Sequence, residues 1–189
     1  LANHTRLEEV FALVKRLRQK TEIPLCLMMY VNTLYVHGIA NFFAQCREAG
    51  VDGVILPDVP LEEHAPFDQA ARAEGVHPIY LVAPTSHERI RRIAQNASGF
   101  LYCVSSLGVT GKRSEYATDF DSFKAACTVP YAIGFGISGP EQVRQMGRYA
   151  HGVIVGSAVV ELVEQYGKDA PKPVGEFVAR LAQAARETE

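Results

Sequence analysis

Short apolar runs alternate with helical patterns along the whole chain, at a period of roughly 20 to 30 residues. Strand and helix in alternation are typical of βαβ units, in which neighbouring strands run parallel and the crossovers are right-handed. We predict strands at residues 25–31, 53–56, 77–83, 100–104, 129–133 and 153–155. We predict helices at residues 7–17, 39–46, 61–74, around 90–93, and at 119–127, 139–146, 159–163 and 174–184. The pattern therefore predicts an α/β fold with six parallel strands.

The number of strands narrows this class to an incomplete barrel. A closed barrel of parallel strands needs eight, whereas six strands preceded by a helix fit a barrel without its first two βα units. We therefore expect an incomplete TIM (β/α)8-barrel with six parallel strands, the third to the eighth, as a single truncated domain over residues 1–189. A dinucleotide-binding doubly wound sheet is the weaker alternative, because no G-x-G-x-x-G fingerprint opens the chain.

Charge and cysteine usage exclude several classes of function. The formal net charge is -2, so no basic face for nucleic acid is indicated. No apolar run approaches the roughly 18 residues of a membrane span. The four cysteines, at positions 26, 46, 103 and 127, have no short paired spacing. We interpret them as reduced, mostly buried thiols of a cytoplasmic protein, with neither a metal site nor a disulfide framework.

Two glycine turns, within residues 132–138 and 153–158, each connect a predicted strand to the helix that follows it. Such turns point bare backbone N–H groups and the positive end of a helix dipole at one place, which makes an anion site. The last two strands of a (β/α)8 barrel commonly hold a phosphate in this way. The alternative is that four glycines only serve turns and packing: Gly134, Gly136, Gly152 and Gly156. Two such turns in neighbouring units favour phosphate.

Six segments of the chain carry a more specific pattern. They lie at residues 27–32, 50–63, 83–85, 102–111, 134–138 and 156–158. They include Pro-Asp-Val-Pro-Leu-Glu-Glu and Gly-Val-Thr-Gly, which are far more specific than phosphate glycines that many barrels share. With these segments in order, the chain resembles the tryptophan synthase alpha chain family over nearly its whole length.

The resemblance implies a (β/α)8 barrel that cleaves indole-3-glycerol phosphate to indole and glyceraldehyde 3-phosphate in tryptophan biosynthesis. The reaction is a retro-aldol cleavage, and the indole passes to a PLP-dependent β chain. No cofactor is implied in the alpha chain itself. Protonating indole C3 and deprotonating a glycerol hydroxyl suits a pair of carboxylates, one as acid and one as base.

The resemblance also implies roles for individual residues. The phosphate falls on the backbone of Gly111, Gly136, Gly156 and Ser157. The indole falls among Met28, Tyr30, Leu81, Tyr102 and Phe135, each of which could instead be ordinary barrel filling. The positions that face the β chain are Asn32, Asp58 and Pro60. For Gly111, the alternative is simple flexibility of the polar loop that follows the fourth predicted strand.

The chain departs from the family at the catalytic positions. Both carboxylates that the family implies would precede residue 1, and no acidic residue here matches either, so no catalytic residue is assigned. Asp58 is the one candidate substitute. Glu62 and Glu63 are expected to form a solvated first helical turn.

Three functions remain open at this point. The first is an indole-glycerol-phosphate lyase whose acid and base are supplied elsewhere. The second is a non-catalytic truncated homologue that binds phosphate ligands or regulates a partner. For a naturally shortened chain we expect a homodimer through the exposed strand edges at 25–31 and 153–155. The third is another phosphate-sugar barrel enzyme, against which the two specific segments argue.

Overall fold

Two sets of three short parallel strands organise the structure. The computed structural model describes residues 5–83, 87–104, 123–134 and 136–188. The strands are β1 (Cys26–Met28), β2 (Gly53–Ile55), β3 (His77–Val82), β4 (Leu101–Val104), β5 (Tyr131–Gly134) and β6 (Gly152–Ile154). β2 pairs with β1 and with β3, and β5 pairs with β4 and with β6, all in parallel. The predicted parallel α/β fold is confirmed in this respect.

Helices separate the strands, as the alternating pattern predicts. They are α1 (Leu7–Arg18), α2 (Val31–His37), α3 (Ile39–Ala49), α4 (Ala65–Ala73), α5 (His87–Asn96), α6 (Pro140–Gly147), α7 (Ser157–Tyr166) and α8 (Pro171–Arg186). Short 3-10 turns lie at Leu61–Glu63 and Gly167–Asp169, and residues 123–126 are also helical. Within the described part of the chain, no helix combines the length and the hydropathy that crossing a membrane requires.

The chain divides into two compact units. The first contains the described residues up to Leu81 together with Ala97–Gly99. The second contains Val82–Asn96 and the described residues from Phe100 onward.

In the first unit, the core forms where the apolar faces of α1 and α3 meet. The rings of Phe11 and Phe42 lie 5.8 Å apart, and those of Phe42 and Phe43 lie 5.2 Å apart edge to face. Helix α3 ends at Gly50, whose φ of +85° is the left-handed conformation that glycine adopts without steric cost. The Arg18 side chain donates to the Gly50 carbonyl at 2.7 Å, which fixes the end of α1 on this turn.

The first predicted strand is wrong in its length and its burial. The strand covers only Cys26–Met28, its outer residues Cys26 and Met28 are exposed, and Val31 already begins α2. Two oxygens of Asp58 accept the Val31 N–H at 3.0 and 3.1 Å. A carboxylate that accepts a first-turn N–H stabilises a helix start. The apolar run therefore ends in a helix. Cys26 is exposed, whereas a buried strand would have covered it.

The predicted helix at 61–74 is also divided. Glu62 and Glu63 lie in the 3-10 turn and are exposed, as expected, and α4 begins after His64. Pro66 lies in the first turn of α4 and has no N–H to donate to the preceding turn, so one continuous helix cannot form. His64 is buried instead, stacked on Tyr80 with the ring centroids 4.4 Å apart, and its Nε2 donates to the Val59 carbonyl at 3.1 Å.

In the second unit, the inward side chains of β4 and β5 form the core. Leu101, Cys103 and Ile133 are fully buried. Tyr131 packs edge to face on Phe123, with the ring centroids 4.6 Å apart, and its hydroxyl donates to the Tyr149 carbonyl. This packing fixes the strands whose following turns form the site described next.

Candidate phosphate-binding site

A cavity of about 380 Å³ lies in the second unit, where the turns that follow β5 and β6 lie next to β4. It is lined by Tyr102, Gly136, Ile137, Ser138, Ile154, Gly156, Ser157, Ala158 and Glu161. Because parallel strands carry their carboxyl ends to one edge of a sheet, the two glycine turns lie side by side. The volume suits a small ligand.

The turn after β5 has a fixed, glycine-dependent conformation. Gly136 lies two residues beyond β5 and has a φ of +69°, in the left-handed region. The Gln142 side chain on α6 accepts the N–H of Ser138 at 2.7 Å and its hydroxyl at 3.0 Å, and donates to the Gly136 carbonyl at 3.2 Å. Ile137, between them, is buried. Backbone and side chain together therefore hold the turn at the cavity wall.

The turn after β6 leads directly into a helix. Gly156 precedes α7 as its N-cap, and its carbonyl accepts the N–H groups of Val159 at 2.9 Å and Val160 at 3.1 Å. The earlier amides of a helix have no partner within the helix itself. Here these amides belong to Ser157 and Ala158, both on the cavity wall.

Gly156 is a glycine for which the described residues give no packing reason. Its φ of -113° is open to any residue. A Cβ placed on it would meet no described atom within 4 Å. Glycine is favoured at an N-cap, and it also occurs where a ligand approaches the backbone closely.

Gly134 has a different explanation. A Cβ there would lie 2.7 Å from the Cε1 and Cζ atoms of the Tyr102 ring, closer than real contacts allow. Gly134 therefore makes room for Tyr102, and the packing interpretation holds for it. A Cβ on Gly152 would meet the Ala132 Cβ at 3.4 Å, an ordinary contact distance.

The rest of the cavity wall is mixed in character. Tyr102 is half-buried, and burial raises the pKa of its hydroxyl, so the side chain is neutral at physiological pH. Ile137 and Ile154 add apolar surface next to it. Glu161, exposed on α7 one turn after Ser157, brings a carboxylate to the same cavity. One side of the cavity is thus rich in backbone amides, and another carries an acidic group.

Four of the residues singled out in the sequence meet here: Gly136, Gly156, Ser157 and Tyr102. Gly111 and Phe135 lie outside the described residues. Met28 and Tyr30 belong to the first unit, where their side chains are 55% and 70% exposed. Leu81, near the end of β3, is half-buried. The indole pocket stays a prediction.

The three residues predicted to face a β chain are exposed in the first unit. Asn32 lies in the first turn of α2, and Pro60 directly precedes the 3-10 turn. The Asp58 carboxylate accepts a hydrogen bond from the Val31 N–H, so it has a structural role at the start of α2. Their place in an interface stays a prediction.

Sequence reasoning missed Gln142, Ile154 and Glu161. A glutamine at the third position of a helix is a known partner for backbone groups around the helix start, and this signal could have identified Gln142. Ile154 ends its strand, where side chains commonly face a site. Glu161 had no signal of its own, because only the turn geometry brings it to the cavity.

Comparison with known proteins decides the family. The family model of the tryptophan synthase alpha chain matches residues 1–188. The chain belongs to the tryptophan synthase alpha chain family. The tryptophan synthase alpha chain of Caldanaerobacter subterraneus subsp. tengcongensis is 41% identical over 189 residues, which cover 97% of this chain and 72% of that protein. The tryptophan synthase alpha chain of Geotalea uraniireducens is 46% identical over 183 residues, which cover 94% of this chain and 68% of that protein.

Solved structures of the tryptophan synthase alpha chain family agree with the fold. The crystal structure of the tryptophan synthase alpha chain from Legionella pneumophila subsp. pneumophila has a TM-score of 0.90 at 35% identity, over 98% of this chain and 72% of that one. A chain of the tryptophan synthase a2b2 complex from Pyrococcus furiosus has a TM-score of 0.87 at 36% identity, over 96% of this chain and 76% of that one. The predicted TIM-barrel type of α/β fold is thereby confirmed.

Proposed function

We propose that this chain acts as a tryptophan synthase alpha chain and cleaves indole-3-glycerol phosphate to indole and glyceraldehyde 3-phosphate in tryptophan biosynthesis. Family membership over residues 1–188 supports the catalytic function over a non-catalytic scaffold. The observation that carries the site is the cavity that joins Gly136, Gly156 and Ser157 to the aromatic ring of Tyr102.

The amide-rich side of this cavity is the proposed seat of the phosphate. Gly156 is the N-cap and Ser157 the first residue of α7, a helix of 10 residues whose dipole is positive at this end. The Ser157 hydroxyl can donate a further hydrogen bond to a phosphate oxygen. Tyr102 and the two isoleucines offer apolar surface to the indole end. We propose that the phosphate and the indole of the substrate bind at these two sides of the cavity.

We assign the acid and the base of the reaction to none of the described residues. Asp58, which the sequence suggested as a substitute, accepts the Val31 N–H in the first unit. We therefore propose that the six strands are the third to eighth of a family barrel. In that arrangement the two carboxylates that protonate indole C3 and remove the hydroxyl proton belong to its second βα unit. This chain spans 72% of the Caldanaerobacter relative's length, which is compatible with that correspondence.

The proposed partner is a tryptophan synthase β chain. The Pyrococcus furiosus relative of similar structure is part of an a2b2 complex. In this chain, Asn32, Asp58 and Pro60 are exposed around the start of α2, where a partner can reach them. The four free thiols suit the reducing cytoplasm in which we place the reaction.

We also propose that the chain by itself associates as a homodimer. Its first unit exposes Met28 of β1, and its second exposes Val160 and Val163 of α7, at 64% and 49%. Strand edges and apolar faces of this kind favour pairing with another chain. Light scattering on the purified chain is expected to give twice the monomer mass, and a well-folded monomer would exclude the dimer.

An assay of indole release tests the activity directly. The full chain is incubated with indole-3-glycerol phosphate, alone and with a β chain, and indole is measured over time. A turnover on the order of 1 per second, typical of enzymes, is expected once the two carboxylates are present. If the chain carrying those carboxylates binds substrate but releases no indole, the lyase assignment is wrong.

A further inference from the structure

Gln142 makes three hydrogen bonds to the turn that follows β5, although it lies on the next helix. Its Oε1 accepts the Ser138 N–H at 2.7 Å and the Ser138 hydroxyl at 3.0 Å. Its Nε2 donates to the Gly136 carbonyl at 3.2 Å. An amide N–H can only donate and a carbonyl can only accept, so the side-chain amide has one possible orientation. One side chain therefore holds both ends of a three-residue turn.

This contact fixes a backbone that is otherwise free to rotate. Gly136 has no Cβ, and glycine explores more backbone conformations than any other residue. The hydrogen bond to Gln142 holds the Gly136 carbonyl, the negative end of the peptide dipole, against α6. Since the peptide unit is planar, the N–H of Ile137 is then held pointing the opposite way. An anion next to this turn meets a fixed arrangement of dipoles.

We infer that Gln142 is a positioning residue, which holds the turn Gly136–Ser138 in the conformation that receives the phosphate group. This inference rests on the proposed function, because it names what aligns the same cavity. Gln142 is not among the cavity-lining residues, so its effect on a ligand passes through the turn. Loss of the Gln142 side chain should raise the entropic cost of ordering the turn when a ligand binds. It should remove no hydrogen-bond donor that contacts the ligand.

Two glutamines on the same helix allow a matched comparison. Gln142→Met keeps the length of the side chain and removes all three hydrogen bonds. Gln145→Met makes the same chemical change at an exposed position of α6 that does not line the cavity. Neither substitution removes a core side chain, so both variants are expected to fold.

The test measures binding of glycerol 3-phosphate by calorimetry, with indole as a second ligand that lacks phosphate. For Gln142→Met we expect roughly tenfold weaker binding of glycerol 3-phosphate, as loss of a preordered loop predicts. Indole binding should be unchanged, and Gln145→Met should match the parent chain for both ligands. In the assay of indole release, KM for indole-3-glycerol phosphate should rise by a similar factor while kcat changes little.

Amide hydrogen exchange gives a readout that simple destabilisation would not reproduce. The Ser138 amide, which donates a hydrogen bond to Gln142, should exchange its hydrogen faster in Gln142→Met. The amides of β4 and β5 should keep their exchange rates. If the parent chain binds glycerol 3-phosphate and Gln142→Met binds it equally well, the positioning role is wrong and the proposed function stands. A parent chain that binds no glycerol 3-phosphate would overturn both.

Discussion

The glycines of the two turns are needed for different structural reasons. Gly134 gives space to the Tyr102 ring, and Gly136 supplies a φ of +69° that other residues rarely adopt. Gly156 is needed for neither reason, since its φ is ordinary and a Cβ would meet no described atom within 4 Å. Glycine is a favoured N-cap residue, and the approach of a ligand, as proposed above, would be a second reason for this position to lack a side chain.

Gly156→Ala should therefore separate binding from stability. Alanine is a poorer N-cap than glycine, but it also restricts the unfolded chain, so the net loss in the free energy of unfolding should be about 1 kcal/mol or less. Affinity for glycerol 3-phosphate, measured by calorimetry, should fall at least about tenfold, because the new methyl group occupies the ligand's approach.

The matched control is Gly134→Ala, measured by urea unfolding. Its Cβ would collide with the Tyr102 ring, so we expect a loss of about 1 to 3 kcal/mol in the free energy of unfolding. Normal phosphate affinity in Gly156→Ala would show that this turn does not contact the ligand.

Glu161 places a negative charge at the cavity that is proposed to bind an anion. Glu161→Gln keeps the shape of the side chain and removes the repulsion. Because the carboxylate is exposed, the gain in glycerol 3-phosphate affinity should be about two- to fivefold at low ionic strength and should vanish in high salt. Glu164→Gln, on the same helix but away from the cavity lining, should leave the affinity unchanged. Equal behaviour of the two variants would remove Glu161 from the site.

At the scale of elements, α2 depends on a contact that spans 27 residues. Asp58 follows β2, and its carboxylate accepts the N–H of Val31 just beyond β1. The two strands are parallel neighbours, so their carboxyl ends lie at one edge and bring the two residues together. The apolar run at 25–31 therefore ends with the first residue of α2, where its composition predicted that the strand would continue.

Asp58→Ala should cost about 1 kcal/mol of unfolding free energy, the usual loss for removing a carboxylate from a helix start. Asp58→Asn retains an acceptor and should recover most of that loss in urea unfolding. Glu63→Ala, an exposed substitution in the nearby 3-10 turn, should stay within about 0.5 kcal/mol. If all three variants unfold at the same urea concentration, Asp58 does not stabilise α2.

The sequence predicted those elements whose signals are local. Helices α1 and α3 show apolar stripes, and Gly50 marks the end of α3 with its positive φ. The predicted strand at 25–31 was too long, because its C-terminal part is governed by Asp58, 27 residues away. Pro66 could have divided the predicted helix at 61–74, since its missing N–H is visible in the sequence.

The residues that line the candidate cavity were predicted from the sequence in part. Gly136, Gly156 and Ser157 were identified by their turns and by the family resemblance, and the described structure brings them to one cavity. Gln142 and Glu161 were not identified, because the direction of a helical side chain depends on how its helix leaves the preceding turn. The positions of Gly111 and Phe135 fall outside the described residues.

At the scale of the whole molecule, family membership and cavity chemistry support one function. Relatives that are 41% and 46% identical are tryptophan synthase alpha chains, and this chain covers 72% and 68% of their lengths. Three of the four residues predicted to bind phosphate belong to the two glycine turns of the second unit. We therefore expect the chain to retain binding of phosphate esters whether or not the acid and base are present.

Titration of the isotopically labelled chain with glycerol 3-phosphate, followed by the backbone amide NMR signals, tests this claim most directly. We predict saturable shifts that are largest at the amides of Gly136, Gly156 and Ser157, and little change at Gly75, which ends α4 in the other unit. Saturation with the largest shifts elsewhere, and none at these three amides, would contradict the account.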